Sequence, residues 1–159
     1  LTAEVEKNVN PEEKPEVLAS FKTRQEIIEK TVEERIEIES KSLHGSINLK
    51  GAKFDDLTLA KYFKNPDKKD EVILFSPIES KERYFADFGF ASSDSNLETP
   101  KPDTIWQANN KKLTPKNPVI LSWKNAKNIE FQLKISIDEN YLFTIQQKII
   151  NNSLIYLFI

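Results

Sequence analysis

The sequence predicts a mainly β chain, an antiparallel β-sandwich with a short helix near its N-terminus. Three observations carry this reading. Residues 129–137 (IEFQLKISI) alternate without a break, with Ile129, Phe131, Leu133, Ile135 and Ile137 on one face and Glu, Gln, Lys and Ser on the other. Residues 141–149 (YLFTIQQKI) resume the alternation, with Tyr141, Phe143, Ile145 and Ile149 in phase. A period of two over nine residues puts one face of a strand in a core and the other in water. Third, VILSW (119–123) reads as a strand, and the turns NAKN (125–128) and Asp138-Glu139-Asn140 join three strands into an antiparallel meander. A sheet with one wet face is antiparallel rather than parallel. No strand–helix–strand alternation appears, which argues against a nucleotide-binding α/β fold.

The remaining elements follow in chain order. Residues 1–16 are charged, hold two prolines and have no periodicity, so they read as a linker. The first 40 positions hold eleven Glu against six Lys or Arg, the composition of a solvated segment. Residues 17–31 predict a short helix with Leu18, Phe21, Ile28 and Val32 on one face. The chain thus divides into a linker with a short helix, 1–31, and a sandwich, 32–159. From Val32 the pattern is β. Val32, Ile36 and Ile38 face one way, and Ile47 and Leu49 alternate between Gly45 and Gly51. EVILF (71–75) reads as a buried strand ended by Ser76-Pro77, and Tyr84 to Phe90 as an aromatic-rich strand. Polar loops cover 64–70 and 91–103, and 111–118 is a Pro-bounded turn region. Phe131, Leu133, Ile135, Phe143 and Ile145 form the expected core, with Glu130, Gln132 and Lys134 turned to solvent or a polar seam. The apolar run LIYLFI (154–159) reads as a strand, and it leads to the expectation that the sandwich continues beyond this chain.

Composition narrows function. The hydrophobic fraction is 38% and the net charge −2, so no overall field favours nucleic acid or an anionic membrane. The basic residues are 20 Lys and 3 Arg, a balance that disfavours bidentate recognition of phosphates or bases. There is no cysteine, which removes disulfides, thiolate nucleophiles and zinc–thiolate sites. No stretch approaches the roughly 18 apolar residues of a membrane span. Residues 1–15 are polar and acidic, unlike a secretory signal. Leu1 in the place of Met leads to the expectation of an excised or processed piece.

No residue is assigned to catalysis, to a cofactor or to a metal. His44 is the only histidine, so neither a His-based metal site nor a Ser-His-Asp set finds support, and a turn or surface position is expected. Asp55-Asp56 have the types for acid–base work or calcium. Adjacent strand residues point to opposite faces, so a turn or capping role is expected instead. Asp138 and Glu139 fall in a hairpin turn. Trp106 and Trp123 fit a sandwich core better than a sugar platform. There is no GxGxxG, P-loop, GxSxG or HExxH.

One block carries a resemblance. HGSINLKGAKFDDLTLAKYF (44–63) resembles the Gly-Ser-Ile-x-Leu-x-Gly-Ala-x-x-Asp-Asp-Leu segment of the YidC-type membrane protein insertases, alphaproteobacterial ones in particular. ILFSP (73–77), RYFADFGF (83–90), DTIW (103–106), LTPKNPVILSW (113–123) and FQLKISIDENYLFTIQQKIINNS (131–153) follow in the family's order. The resemblance covers about residues 32–153. Phe90 stands where the family usually has Trp, and Asn128 where it often has Gly; Asn also tolerates positive φ.

The resemblance implies a β-supersandwich of the galactose mutarotase-like kind, here only its first half. It implies the large domain on the outer side of the inner membrane, between the family's first two spans. The partners it implies are the membrane protein translocation machinery and nascent membrane proteins. The membrane core that carries insertion has no counterpart in these residues, so membrane association would come only through spans absent from the chain. The alternative is a carbohydrate-binding or mutarotase-like sandwich. That rests on fold analogy alone, and mutarotase chemistry calls for an acid and a base that a single histidine supplies poorly.

Overall fold

The computed structural model describes residues 22–153. The expectations for 1–21, including Leu18 and Phe21, and for LIYLFI at 154–159 lie outside the described residues. In chain order the elements are helix α1 (Arg24–Lys30), a 3-10 turn (Val32–Glu34) and nine strands. These are β1 (Arg35–Glu39), β2 (Leu43–Asn48), β3 (Lys53–Phe63), β4 (Glu71–Phe75), β5 (Gln107–Ala108), β6 (Lys112–Leu113), β7 (Val119–Lys124), β8 (Ile129–Ile137) and β9 (Phe143–Asn151). One sheet runs β4-β3-β2-β1-β6, the other β5-β7-β8-β9. The named pairings are antiparallel except β1 with β6, where Glu37 and Ile38 run parallel to Lys112 and Leu113.

The second sheet is the meander read from period two. β8 spans Ile129–Ile137, and Ile129, Phe131, Leu133, Ile135 and Ile137 are all buried. Their partners across β7 are Val119, Leu121 and Trp123, opposite Ile135, Leu133 and Phe131. The turn between them is held by Asn125, whose Oδ1 accepts from the N–H groups of Lys127 and Ile129. Asn128 takes φ 64, the left-handed backbone that a short polar side chain tolerates. The first sheet covers this face with Ile36, Ile38, Leu43, Ile47, Phe54 and Leu57. Aromatic contacts tie the layers together, with ring centroids 5.3 Å apart for Phe54 and Phe143 and 5.0 Å for Phe90 and Phe131.

Several expectations are corrected. The predicted helix narrows to Arg24–Lys30, and its buried residue is Ile27 rather than Ile28 and Val32. A capping box fixes the start: the N–H of Glu26 donates to Thr23 Oγ1, and the N–H of Thr23 donates to Glu26 Oε2. Val32 falls past the helix end, in the 3-10 turn, where helical phase no longer holds, and it is 59% exposed. EVILF is a strand but not a buried one. It lies at the edge of the first sheet with a register that shifts twice, and Ile73 and Leu74 stay exposed. Tyr84 to Phe90 is not a strand. Only isolated bridges join Tyr84 to Ser76 and Ala86 to Phe54, after which the chain crosses between the layers. There Phe88 meets Phe54, Phe90 meets Phe131, and Gln147 Nε2 donates to the Gly89 carbonyl. Within 111–118, Lys112 and Leu113 form β6, with Leu113 fully buried. Phe143 and Ile145 are half-buried, because β9 is the edge strand of its sheet.

Phe131 has no exposed surface and touches aromatic rings from two other segments. Phe131→Ala is expected to cost about 3–5 kcal/mol. Urea unfolding followed by tryptophan fluorescence checks this, and an unchanged midpoint would reverse the assignment of faces in β8.

Candidate functional site

The buried charged side chains among the described residues, Arg35, Asp55 and Asp56, lie on the outer face of the first sheet, beneath α1. The cluster begins with a fault in the β2–β3 ladder. Ile47 pairs with Phe54 and Ser46 with Asp56, which leaves Asp55 as an extra residue in β3. Such a bulge turns two successive residues to the same side. Phe54 and Leu57 therefore both reach the core, and Asp55 and Asp56 share the outer face. The expected turn or capping role for Asp55-Asp56 is thus overturned: both are buried in the middle of a strand. The alternation argument failed because a bulge suspends alternation. Gly45, opposite Leu57, completes the device. Its φ is 148, and a Cβ there would stand 2.1 Å from the Asp56 carbonyl oxygen, so the swollen strand leaves room only for glycine.

Two arginines answer the two carboxylates. Arg35, in β1, forks onto Asp55: Nη1 donates to Oδ1 at 2.8 Å and Nη2 to Oδ2 at 3.1 Å. Its Nη1 also donates to Ser46 Oγ and its Nε to Thr31 Oγ1. Both side chains of this pair are about as buried as core leucines, at 3% and 5% exposure. Ser46 Oγ donates onward to Asp56 Oδ2 at 2.6 Å, linking the two aspartates through one hydroxyl. Arg24, at the start of α1, pairs with Asp56 Oδ1 and donates to Thr58 Oγ1 at 3.1 Å. A planar donor fork suits paired carboxylates, and this Lys-rich chain places Arg here. The sequence signal was the Asp-Asp pair itself. Its partners lie 20 and 32 residues away, in segments read as strand and short helix.

The other candidates do not join this cluster. His44 is in β2 rather than a turn, on the surface as expected, with Nε2 2.7 Å from Glu71 Oε2. It borders an open hollow of about 450 Å³ shared with Arg24, Lys64, Lys68 and Lys69. Trp106 is buried in the core beside Phe90. Trp123 packs half-buried against Phe131 and edges a separate hollow of about 390 Å³. Asp138 sits in the β8–β9 turn, where its Oδ1 accepts from the N–H groups of Asn140, Tyr141 and Leu142. These bonds, that of Tyr141 foremost, hold the Asp138 carboxyl below its ordinary range. Glu139 lends only its carbonyl, to Ser42 Oγ. Lys112 is raised, chiefly by its bond to Glu39, which ties β6 to β1. Among the described residues no group of three or more His, Asp or Glu is placed to hold a metal ion. No helix among them is long and apolar enough to cross a membrane.

The geometry defines a β-sandwich whose buried charged cluster ties its own elements together. Residues 35–154 match the family model of the YidC periplasmic domain, and the chain belongs to that family. It is 48% identical over 120 residues to a membrane protein insertase YidC of Rickettsia bellii, covering 75% of this chain and 22% of that protein. It is 50% identical over 121 residues to that of Rickettsia rickettsii and 49% to that of Rickettsia canadensis, with 76% of this chain and 22% of each relative covered. The chain thus spans about a fifth of the length of the relatives it matches.

Two outcomes follow. Arg35→Met or Asp55→Asn leaves a buried partner uncompensated and is expected to cost about 3–5 kcal/mol. Replacing both by Met and Leu should recover most of that loss, and additive losses in the double variant would deny the coupling. Asp138→Asn should lower the thermal midpoint at neutral pH. The native carboxyl is depressed, so its stabilisation is fully present above the ordinary value of 3.8 and fades as pH falls through the lowered one. Melting curves of both proteins should therefore converge in acid, and a constant gap would rule out the carboxylate as the cause.

Proposed function

We propose that this chain is the periplasmic accessory domain of a membrane protein insertase. On this reading the sandwich domain starts at residue 32, after a linker segment with a short helix over 1–31. The domain stands on the outer side of the inner membrane, where it meets translocation machinery or nascent membrane proteins and performs no chemistry of its own. The observation that carries this reading is the family match over residues 35–154, joined to roughly 50% identity with proteins named as insertases. The Asp55–Asp56 cluster supports it as well, because both carboxylates are paired with arginines of the same domain, although Asp56 and Arg35 also border an open hollow of about 460 Å³.

The test places residues 35–154 of this chain into the Rickettsia bellii relative, in a host depleted of its own insertase. Photo-crosslinkers go at exposed Tyr62, Ile73 or Leu142. Insertion of a reporter membrane protein should be retained, with adducts to inserting chains or translocation subunits from at least one position. Failure of all three positions to crosslink in a chimaera that accumulates normally would overturn the partner assignment. Glucose mutarotation by the purified chain, lost in His44→Ala, would replace the reading with the carbohydrate one.

A further inference from the structure

The two arginine–aspartate pairs look alike but are held to different degrees, and the difference singles out α1. Arg35 uses four of its five N–H groups on Asp55, Ser46 and Thr31, within the sandwich and the turn beside it. Arg24 is 22% exposed, and its Nε is buried without an acceptor. The helix it belongs to has seven residues, too few to persist alone in water, and buries a single side chain, Ile27. Just before the helix, an isolated bridge joins Lys22 to Ser80 in the loop after β4, and Ile28 is only half-buried.

We propose that α1 is a releasable clasp. It lifts off the first sheet as a unit while the sandwich, with the Arg35–Asp55 pair, stays folded. The structure supplies a stop for this motion at the 3-10 turn. Arg35 Nε holds Thr31 Oγ1 at 2.7 Å, and Lys111 Nζ donates to the Glu33 carbonyl at 2.6 Å, so the chain from Thr31 onward remains pinned. The face left behind tolerates exposure: Asp56 keeps its bond from Ser46 and gains water in place of Arg24. The two adjacent aspartates thereby do separate work, Asp55 within the sandwich and Asp56 as the seat of the clasp.

Release changes reach. Residues 22–30, freed and extended, add at most roughly 30 Å of chain between the sandwich and the segment before it. The clasp is a two-length tether. Because the Arg24–Asp56 pair is only partly buried, ionic strength screens it and favours the long form, while the Arg35–Asp55 pair is screened much less.

Native-state hydrogen exchange on the whole chain tests the difference in hold. Amides of Ile27 to Lys30 should exchange at least about 100-fold faster than those of β8, and Arg24→Gln should speed them about tenfold more without moving β8. Pulsed dipolar distances between spin labels at Gln25→Cys and Lys134→Cys give a second readout, as the chain has no other cysteine. A short and a broad long population are expected, the long one growing with salt and in Arg24→Gln. Protection of α1 equal to that of β8, or equal acceleration of both by Arg24→Gln, would make α1 an integral part of the sandwich and overturn the clasp. A single narrow distance, unmoved by salt and by Arg24→Gln, would overturn it as well.

Discussion

The bulge at Asp55 is the constraint on which the first sheet turns. Without it, one of the two adjacent aspartates would face the hydrocarbon core between Phe54 and Leu57, with no partner to offset its desolvation. With it, both carboxylates face outward, Gly45 becomes obligatory, and two of the chain's three arginines are needed to neutralise what has been buried. The position of α1, the path of the 3-10 turn and the seat of Ser46 all follow from where those guanidinium groups must sit.

The second sheet follows a simpler rule, and most of it was legible in the sequence. In β8 every odd position is buried, so hydrophobic period, turn chemistry at Asn125 and Asp138, and strand limits agree with one another. Reading failed where a local pattern did not determine burial. EVILF is apolar enough for a core strand, yet its place at the sheet edge leaves Ile73 and Leu74 exposed. The aromatic run from Tyr84 to Phe90 suggested a strand, but its rings serve two layers in turn, which extended pairing with one sheet would prevent. Period two reports on a chain's neighbours only after the neighbours are known.

The charged cluster was legible in part. Asp55 and Asp56 stood out as a pair, and the resemblance to insertases passed through them, but alternation sent the argument the wrong way. A bulge adds one residue on one strand only, and the residue that makes room for it, Gly45, lies in β2, outside the pair itself. The scarcity of Arg, used only to argue against phosphate and base recognition, was also a clue to this cluster. In a chain that meets nearly every need for positive charge with Lys, an Arg marks a place where geometry matters, and Arg35 forks onto Asp55 as no lysine can.

Buried ion pairs are weak devices for stability, since well-packed apolar groups often hold a protein as firmly. Their use here is better explained by orientation. An apolar contact between α1 and the sheet would let the helix slide or turn over a smooth surface. Hydrogen bonds from Arg24 to Asp56 and Thr58 admit one placement, while Ser46 ties that placement to the same network that fixes β1 on β3. Charged groups whose partners are specified atom by atom thus set where α1 lies on the sheet, and of the two pairs Arg24–Asp56 is the one that water reaches.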